Sequence, residues 1–113
     1  MLDPIAGSIE RYMDLLSSRQ KVVASNIANA DTPGYKTKDV DFQSAFRSEL
    51  NVQDPHLTEV TGLTMKSDGN NVNLDREARM LAENALRFNL ASNLMRSQLR
   101  MVKDAIQEGK SGA

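Results

Sequence analysis

From Leu74 onward, apolar side chains recur at alternating spacings of four and three residues. The series is Leu74, Ala78, Leu81, Ala85, Phe88, Ser92, Met95, Leu99, Val102 and Ile106, and only Ser92 breaks it. A period of 3.5 keeps one face of an α-helix against a partner, the pattern of a coiled-coil seam. The spacing predicts a helix over 73–109. Asn73 is placed to cap it, Asp75 and Glu77 lie at the positive end of the helix dipole, and Arg96, Arg100 and Lys103 lie toward the negative end. Gly109 is available at C′. With no proline or glycine across 74–108, the helix should be roughly 50 Å long.

Such a helix needs a partner, and the other end of the chain supplies one. Leu2, Ile5, Ile9, Tyr12 and Leu16 follow a 3-4-3-4 spacing that resumes at Val23 and Ala30. Leu15, Val22 and Ile27 widen this stripe, while Arg19 and Asn26 interrupt it. Asp3 is a plausible N-cap and Pro4 suits a first helical position, where its missing N–H does no harm. The helix, over 1–30 and roughly 40 Å long, is amphipathic. It must stop at Asp31-Thr32-Pro33-Gly34-Tyr35, because Pro33 drives Thr32 out of helical geometry and Pro-Gly fits the centre of a type II turn.

Between the helices, 31–72 is a polar connector. Residues 31–71 carry seven acidic and four basic residues, a net of −3, against zero for 1–30 and +2 for 72–113. Phe42, Ala45, Phe46 and Leu50 suggest a short helix with Asp41 as its N-cap, and Pro55, Gly62 and Asp68-Gly69-Asn70-Asn71 signal turns. Val60, Leu63 and Met65 make at most a thin extended pattern. The expected architecture is all-α: a single domain, 1–113, in which the two terminal helices pair as an antiparallel coiled-coil hairpin joined by an irregular polar connector containing one short helix. Ile5, Ile9, Tyr12, Leu16 and Val23 should pack against Leu81, Ala85, Phe88, Met95, Leu99, Val102 and Ile106. Aromatic residues make up only 4% of the 113, so a thick core is not expected. A second row on the last helix (Met80, Leu86, Leu90, Leu94, Met101, Ala105) would stay exposed in an isolated pair, which points to stabilisation by assembly with other subunits.

Chemistry is sparse. Cysteine is absent, which removes disulfides and thiolate sites. His56 is the only histidine and reads as a loop residue. Asp39-Val40-Asp41 opens like a calcium loop, but Ser44 replaces the required glycine and no glutamate stands at position twelve. Glu83 and Arg87 read as an i,i+4 surface pair. No nucleophile–base pair or phosphate loop is present, so neither catalysis, a cofactor nor a metal is expected. The formal charge of −1 gives no nucleic-acid footprint. No run approaches the ~18 apolar residues of a membrane span, and the first residues lack a secretory pattern, so the expected route is cytoplasmic retention or export without a cleaved signal peptide.

Ser25-Asn26-Ile27-Ala28-Asn29-Ala30-Asp31-Thr32-Pro33-Gly34-Tyr35 resembles the N-terminal signature of bacterial flagellar rod and hook axial proteins, in which an Asn-x-x-Asn pair closes the first helix before a Thr-Pro-Gly-Tyr turn. Asp39-Val40-Asp41-Phe42, Val72-Asn73-Leu74-Asp75-Arg76-Glu77 and Leu81-Ala82-Glu83-Asn84-Ala85-Leu86-Arg87-Phe88 are similar to the proximal-rod members. The resemblance implies a basal-body rod subunit whose paired terminal helices pack into a helical tube, transmitting torque and enclosing an export channel. It implies export through the flagellar type III apparatus, placement in the periplasmic rod, and contacts with other copies, other rod proteins, the rod-base adaptor and the MS ring, with no nucleic acid and no direct membrane insertion. Asn26, Asn29, Thr32, Pro33, Gly34 and Tyr35 form the signature turn. The two asparagines either satisfy backbone groups at the helix end or bond to a neighbouring subunit. The rival from another class is a soluble helical-hairpin adaptor or export chaperone, which leaves the Asn-x-x-Asn and Thr-Pro-Gly-Tyr block unexplained.

Overall fold

A computed structural model describes residues 4–47 and 57–111. Its elements are α1 (Pro4–Ala28), β1 (Lys38–Val40), α2 (Phe42–Arg47), β2 (Leu57–Glu59) and α3 (Leu74–Ser111). Asp3, Leu50, Pro55 and His56, all singled out above, lie outside the described residues.

The two long helices pair antiparallel. Asn26 meets Glu77, Asn84 meets the Leu16 carbonyl and Arg87 meets Tyr12, so positions descend along α1 as they rise along α3. At 1.5 Å per residue, the 38 residues of α3 outrun the 25 of α1 by about 20 Å. Helix α1 is described from Pro4, a residue suited to a first helical turn, and α3 starts behind Asn73, whose Oδ1 accepts from Arg76 N at 3.1 Å. The expected end at Gly109 is not found. A glycine ends a helix when it takes a left-handed conformation; among the described residues the positive-φ glycines are Gly34, Gly62 and Gly69, Gly109 is not one of them, and α3 continues to Ser111. At the other end of the pair, α1 stops at Ala28, two residues before the expected boundary.

Pairing follows a seam different from the expected one. Leu81 and Met95 are half-buried as anticipated, but the row beside them is Glu77–Asn84–Ala91, all buried, in place of Ala78–Ala85–Ser92–Leu99. Periodicity favoured the apolar row. The partner helix instead offers polar groups at these levels, Asn26 and the Leu16 carbonyl, so the face carrying their hydrogen-bond complements turns inward.

The connector is more ordered than an irregular loop. β1 and β2 form a two-stranded antiparallel sheet with Lys38 opposite Glu59, Asp39 opposite Thr58 and Val40 opposite Leu57. Val60 N–H extends the ladder to the Thr37 carbonyl at 2.9 Å, so the extended segment lies earlier than the Val60–Met65 pattern suggested. Asp41 caps α2, its Oδ1 accepting from Ser44 N at 3.1 Å. Val40 and Ala45 close over Leu15 to form a core against the side of α1, flanked by Val22 and Phe42. Leu15 and Val22, two of the residues that widened the apolar stripe of α1, therefore face the connector, while the third, Ile27, is exposed. Helix α1 is covered on two sides, by α3 and by its own connector, and the single line of contacts expected for two bare helices is exceeded.

Candidate functional site: the polar hinge and the open ends of the helices

Where α1 gives way to the connector, the chain turns on Thr32-Pro33-Gly34-Tyr35. Tyr35 N–H bonds to the Thr32 carbonyl at 3.2 Å and Gly34 sits at φ +76°, as a type II turn requires of its third residue. Asn29 donates through Nδ2 to the Ser25 carbonyl at 2.8 Å and accepts at Oδ1 from Thr32 Oγ1 at 3.0 Å. Lys66 Nζ adds a positive charge at the same helix end, 3.1 Å from the Ala30 carbonyl.

Asn26 is wholly buried and uses its entire amide within this chain. Nδ2 donates to the Lys38 carbonyl at 2.9 Å and to Glu77 Oε1 at 3.1 Å. Oδ1 accepts from Tyr35 Oη at 2.9 Å and from Lys38 N at 3.2 Å. Two donors and two acceptor sites are the full capacity of an asparagine side chain. Asn26 is thus saturated by the hinge of its own chain, and Asn29 bonds there through one donor and one acceptor. Asn70 mirrors the arrangement from below: its Nδ2 donates to the carbonyls of Asn29 at 2.9 Å and Thr32 at 2.8 Å, while Oδ1 accepts from Val72 N. Asn71 Oδ1 receives Thr37 N at 2.7 Å. Gly34 N–H donates to the Asp68 carbonyl at 2.9 Å, and Gly69 beside it sits at φ +86°, the left-handed region that favours glycine.

A charge cluster flanks the hinge. Arg19 grips Asp39 in bidentate fashion, Nε to Oδ1 at 3.0 Å and Nη2 to Oδ2 at 2.9 Å, with its guanidinium carbon 5.4 Å from the centre of the Phe42 ring. Arg76 bridges the two acids, 3.4 Å from Asp39 Oδ2 and 2.9 Å from Glu77 Oε1. The Asp39-Val40-Asp41 triplet is thus committed to arginines and to a helix cap, and no acidic or histidine cluster able to hold a metal occurs among the described residues. Glu77 Oε2 is buried without a hydrogen-bond partner. Burial pushes the Glu77 carboxyl above the ordinary 4.5, against the opposing pull of Arg76 and Asn26.

A carboxyl whose folded pKa is raised contributes its full stability below the unfolded value and loses it as pH climbs through the folded one. From pH 4.5 toward neutrality, the wild type should therefore lose stability relative to Glu77→Gln, measured as the gap between their urea midpoints at each pH. A gap that is constant, or that moves the other way, would contradict a Glu77 ionisation strained by burial.

The signature turn comes together at the hinge as a unit, whereas the expected apolar contacts are divided. Leu16 and Val23 are fully buried, and Ile9 and Tyr12 are half-buried. Ile5 is 57% exposed, Phe88 lies at the margin of the pair, and Ala85 faces solvent. Leu99 (52% exposed), Val102 (40%) and Ile106 (56%) belong to the part of α3 that outruns α1 and make no seam within the chain. At the open end of the pair, Ile5, Ile9, Leu86, Leu90 and Leu94 line an apolar groove of about 800 Å³. The Glu83–Arg87 surface pair forms as expected at 2.7 Å, and Arg87 also reaches Tyr12 Oη at 3.2 Å. Sequence reasoning missed the hub formed by Arg19, Asn26, Asp39 and Glu77. The available signal was the pair of polar residues seven apart in the α1 stripe.

Residues 13–36, the hinge-side half of α1 with its turn, match the family model described as flagella basal body rod protein. Flagellar basal body rod protein FlgB of Escherichia coli (strain K12) is 30% identical over 138 aligned residues, covering 96% of this chain and 99% of that protein. FlgB of Borreliella burgdorferi is 34% identical over 110 residues, covering 74% of this chain and 82% of the relative. The chain belongs to the FlgB family of flagellar basal body rod proteins. It is accordingly a structural component of the flagellar basal-body rod, associated with other rod and basal-body parts, and its relatives are structural proteins rather than enzymes. Among the described residues, no helix is long and apolar enough to cross a membrane.

Proposed function

We propose that the chain polymerises through its terminal helices into the proximal part of a helical tube that carries motor torque and encloses the export channel. The observation that supports this reading is the uncovered apolar row on α3, in which Leu99, Val102 and Ile106 stand exposed beyond the end of α1. Large apolar side chains grouped on one helix mark an interaction surface. In this reading the role is mechanical and the chain catalyses nothing. It works in the periplasm after passage through the flagellar type III export apparatus, and its neighbours are further copies, other rod proteins, the rod-base adaptor and the MS ring. It binds no nucleic acid and does not insert directly into the membrane. Ile5, Ile9, Leu86, Leu90 and Leu94 at the open groove, together with Leu99, Val102 and Ile106, are the assembly residues; Asn26 to Tyr35 hold the hairpin that presents them.

Leu99→Asp separates folding from assembly. Because Leu99 is exposed in the free chain, the urea midpoint of the isolated variant should move by no more than about 0.5 kcal/mol equivalent. Within a packed tube, the same carboxylate would be buried unpaired at a cost of several kcal/mol, so basal-body pellets should lack the variant and cells should not swim. Wild-type motility with Leu99→Asp in the pelleted basal bodies would refute the assembly role of this row.

A further inference from the structure

We propose that the polar hinge is a register pin, choosing which stretch of α3 lies against α1 and so keeping the end of α3 unpaired. The apolar pattern does not make that choice. Sliding α3 by one heptad would exchange Leu81–Phe88–Met95 for Phe88–Met95–Val102, and Glu77–Asn84–Ala91 for Asn84–Ala91–Gln98. Large apolar residues stand at the same three levels in either register, the middle level lying at the margin of the pair, and the slipped one removes a buried carboxylate. It would also draw Val102 into cover. The spacing of the large apolar residues therefore fits both registers, yet the structure adopts one of them.

Paired polar groups fixed at one level distinguish the two. Asn26 holds Glu77, Asn84 donates to the Leu16 carbonyl at 2.9 Å and to Gln20 Oε1 at 3.2 Å, and Asn70 ties the approach to α3 onto the carbonyls that close α1. A seven-residue slip translates one helix past the other by about 10.5 Å, which no hydrogen bond survives. The 45 residues from Asn29 to Asn73 are long enough to allow that movement once their ties are broken. A buried polar residue that fixes register at the expense of stability is the best-attested use of such groups in coiled coils. Asn26, Asn70 and Glu77 are therefore positioning residues. Their effect is to leave Leu99, Val102 and Ile106 outside the hairpin.

The chain has no cysteine, so spin labels can be placed at Ser17→Cys and Lys103→Cys, both exposed, and their separation read by pulsed electron resonance on the full-length protein. The wild type should give one distance. Asn26→Leu/Asn70→Ala/Glu77→Leu, which strips the pin, should add a population about 10 Å shorter. Asn70→Ala/Glu77→Leu/Asn84→Glu frees the connector and moves the acid one heptad along, and should make the shorter distance dominant, since Asn26 then finds its partner only in the slipped register. Unchanged single distances in whichever variants fold would overturn the proposal. Loss of helical circular dichroism in both would overturn it as well, because the hinge would then sustain the fold rather than select a register.

Discussion

Asn26→Ala is expected to lower the unfolding free energy by about 3–5 kcal/mol. Four hydrogen bonds disappear with the amide: those to the Lys38 N–H and carbonyl and to the Tyr35 hydroxyl, all part-buried, and the one to a fully buried Glu77 that then keeps only Arg76 as a partner. Orphaning a buried acid is worse than removing both members of its pair. Asn26→Leu combined with Glu77→Leu should therefore lose less than Asn26→Ala alone. Urea unfolding followed by circular dichroism gives both values. A loss below about 1 kcal/mol for Asn26→Ala would show the hub to be solvated rather than closed. The result bears on function because Asn26 joins three elements at once: the end of α1, the strand β1 and the first turn of α3.

The two long helices were legible because their signals are local and repeated: a sustained period, a proline at one start, and an asparagine at the other whose cap forms as expected. The type II turn and the Asp41 cap were legible for the same reason, since each is written in four or five consecutive residues. What sequence could not resolve is pairwise. β1 and β2 are three residues each, too short for alternation to register, and they find each other across some twenty positions. Glu77 read as a first-turn acid favoured by the helix dipole; it occupies that turn, but buried, because Asn26 faces it from fifty-one residues away. One of the two rows of the expected seam on α3 is displaced by one residue for that reason, Glu77–Asn84–Ala91 standing where Ala78–Ala85–Ser92 was expected. Apolar periodicity ranks faces by hydrophobicity, and here two complementary polar rows prevail over an alanine row. Arg19 and Asn26 were visible as breaks in the α1 stripe, and such breaks at heptad spacing point to partners on the opposing element.

Leu15→Ala should cost about 2–5 kcal/mol, comparable to Leu16→Ala, since both side chains are fully buried. Their consequences should nevertheless fall in different places. Leu15 packs with Val40 and Ala45, so its cavity opens between α1 and the connector. Leu16 lies beside Asn84 and Phe88, so its cavity opens between the helices. Amide exchange tells them apart. Leu15→Ala should speed exchange at Val60, whose N–H completes the sheet ladder, before it affects the middle of α3. Leu16→Ala should do the reverse. Equal acceleration at both places in both variants would mean that connector and helix pair open as one cooperative unit. The expected asymmetry follows from α1 carrying adjacent leucines that face different layers: one layer locks the hinge, and the other presents the open end of α3.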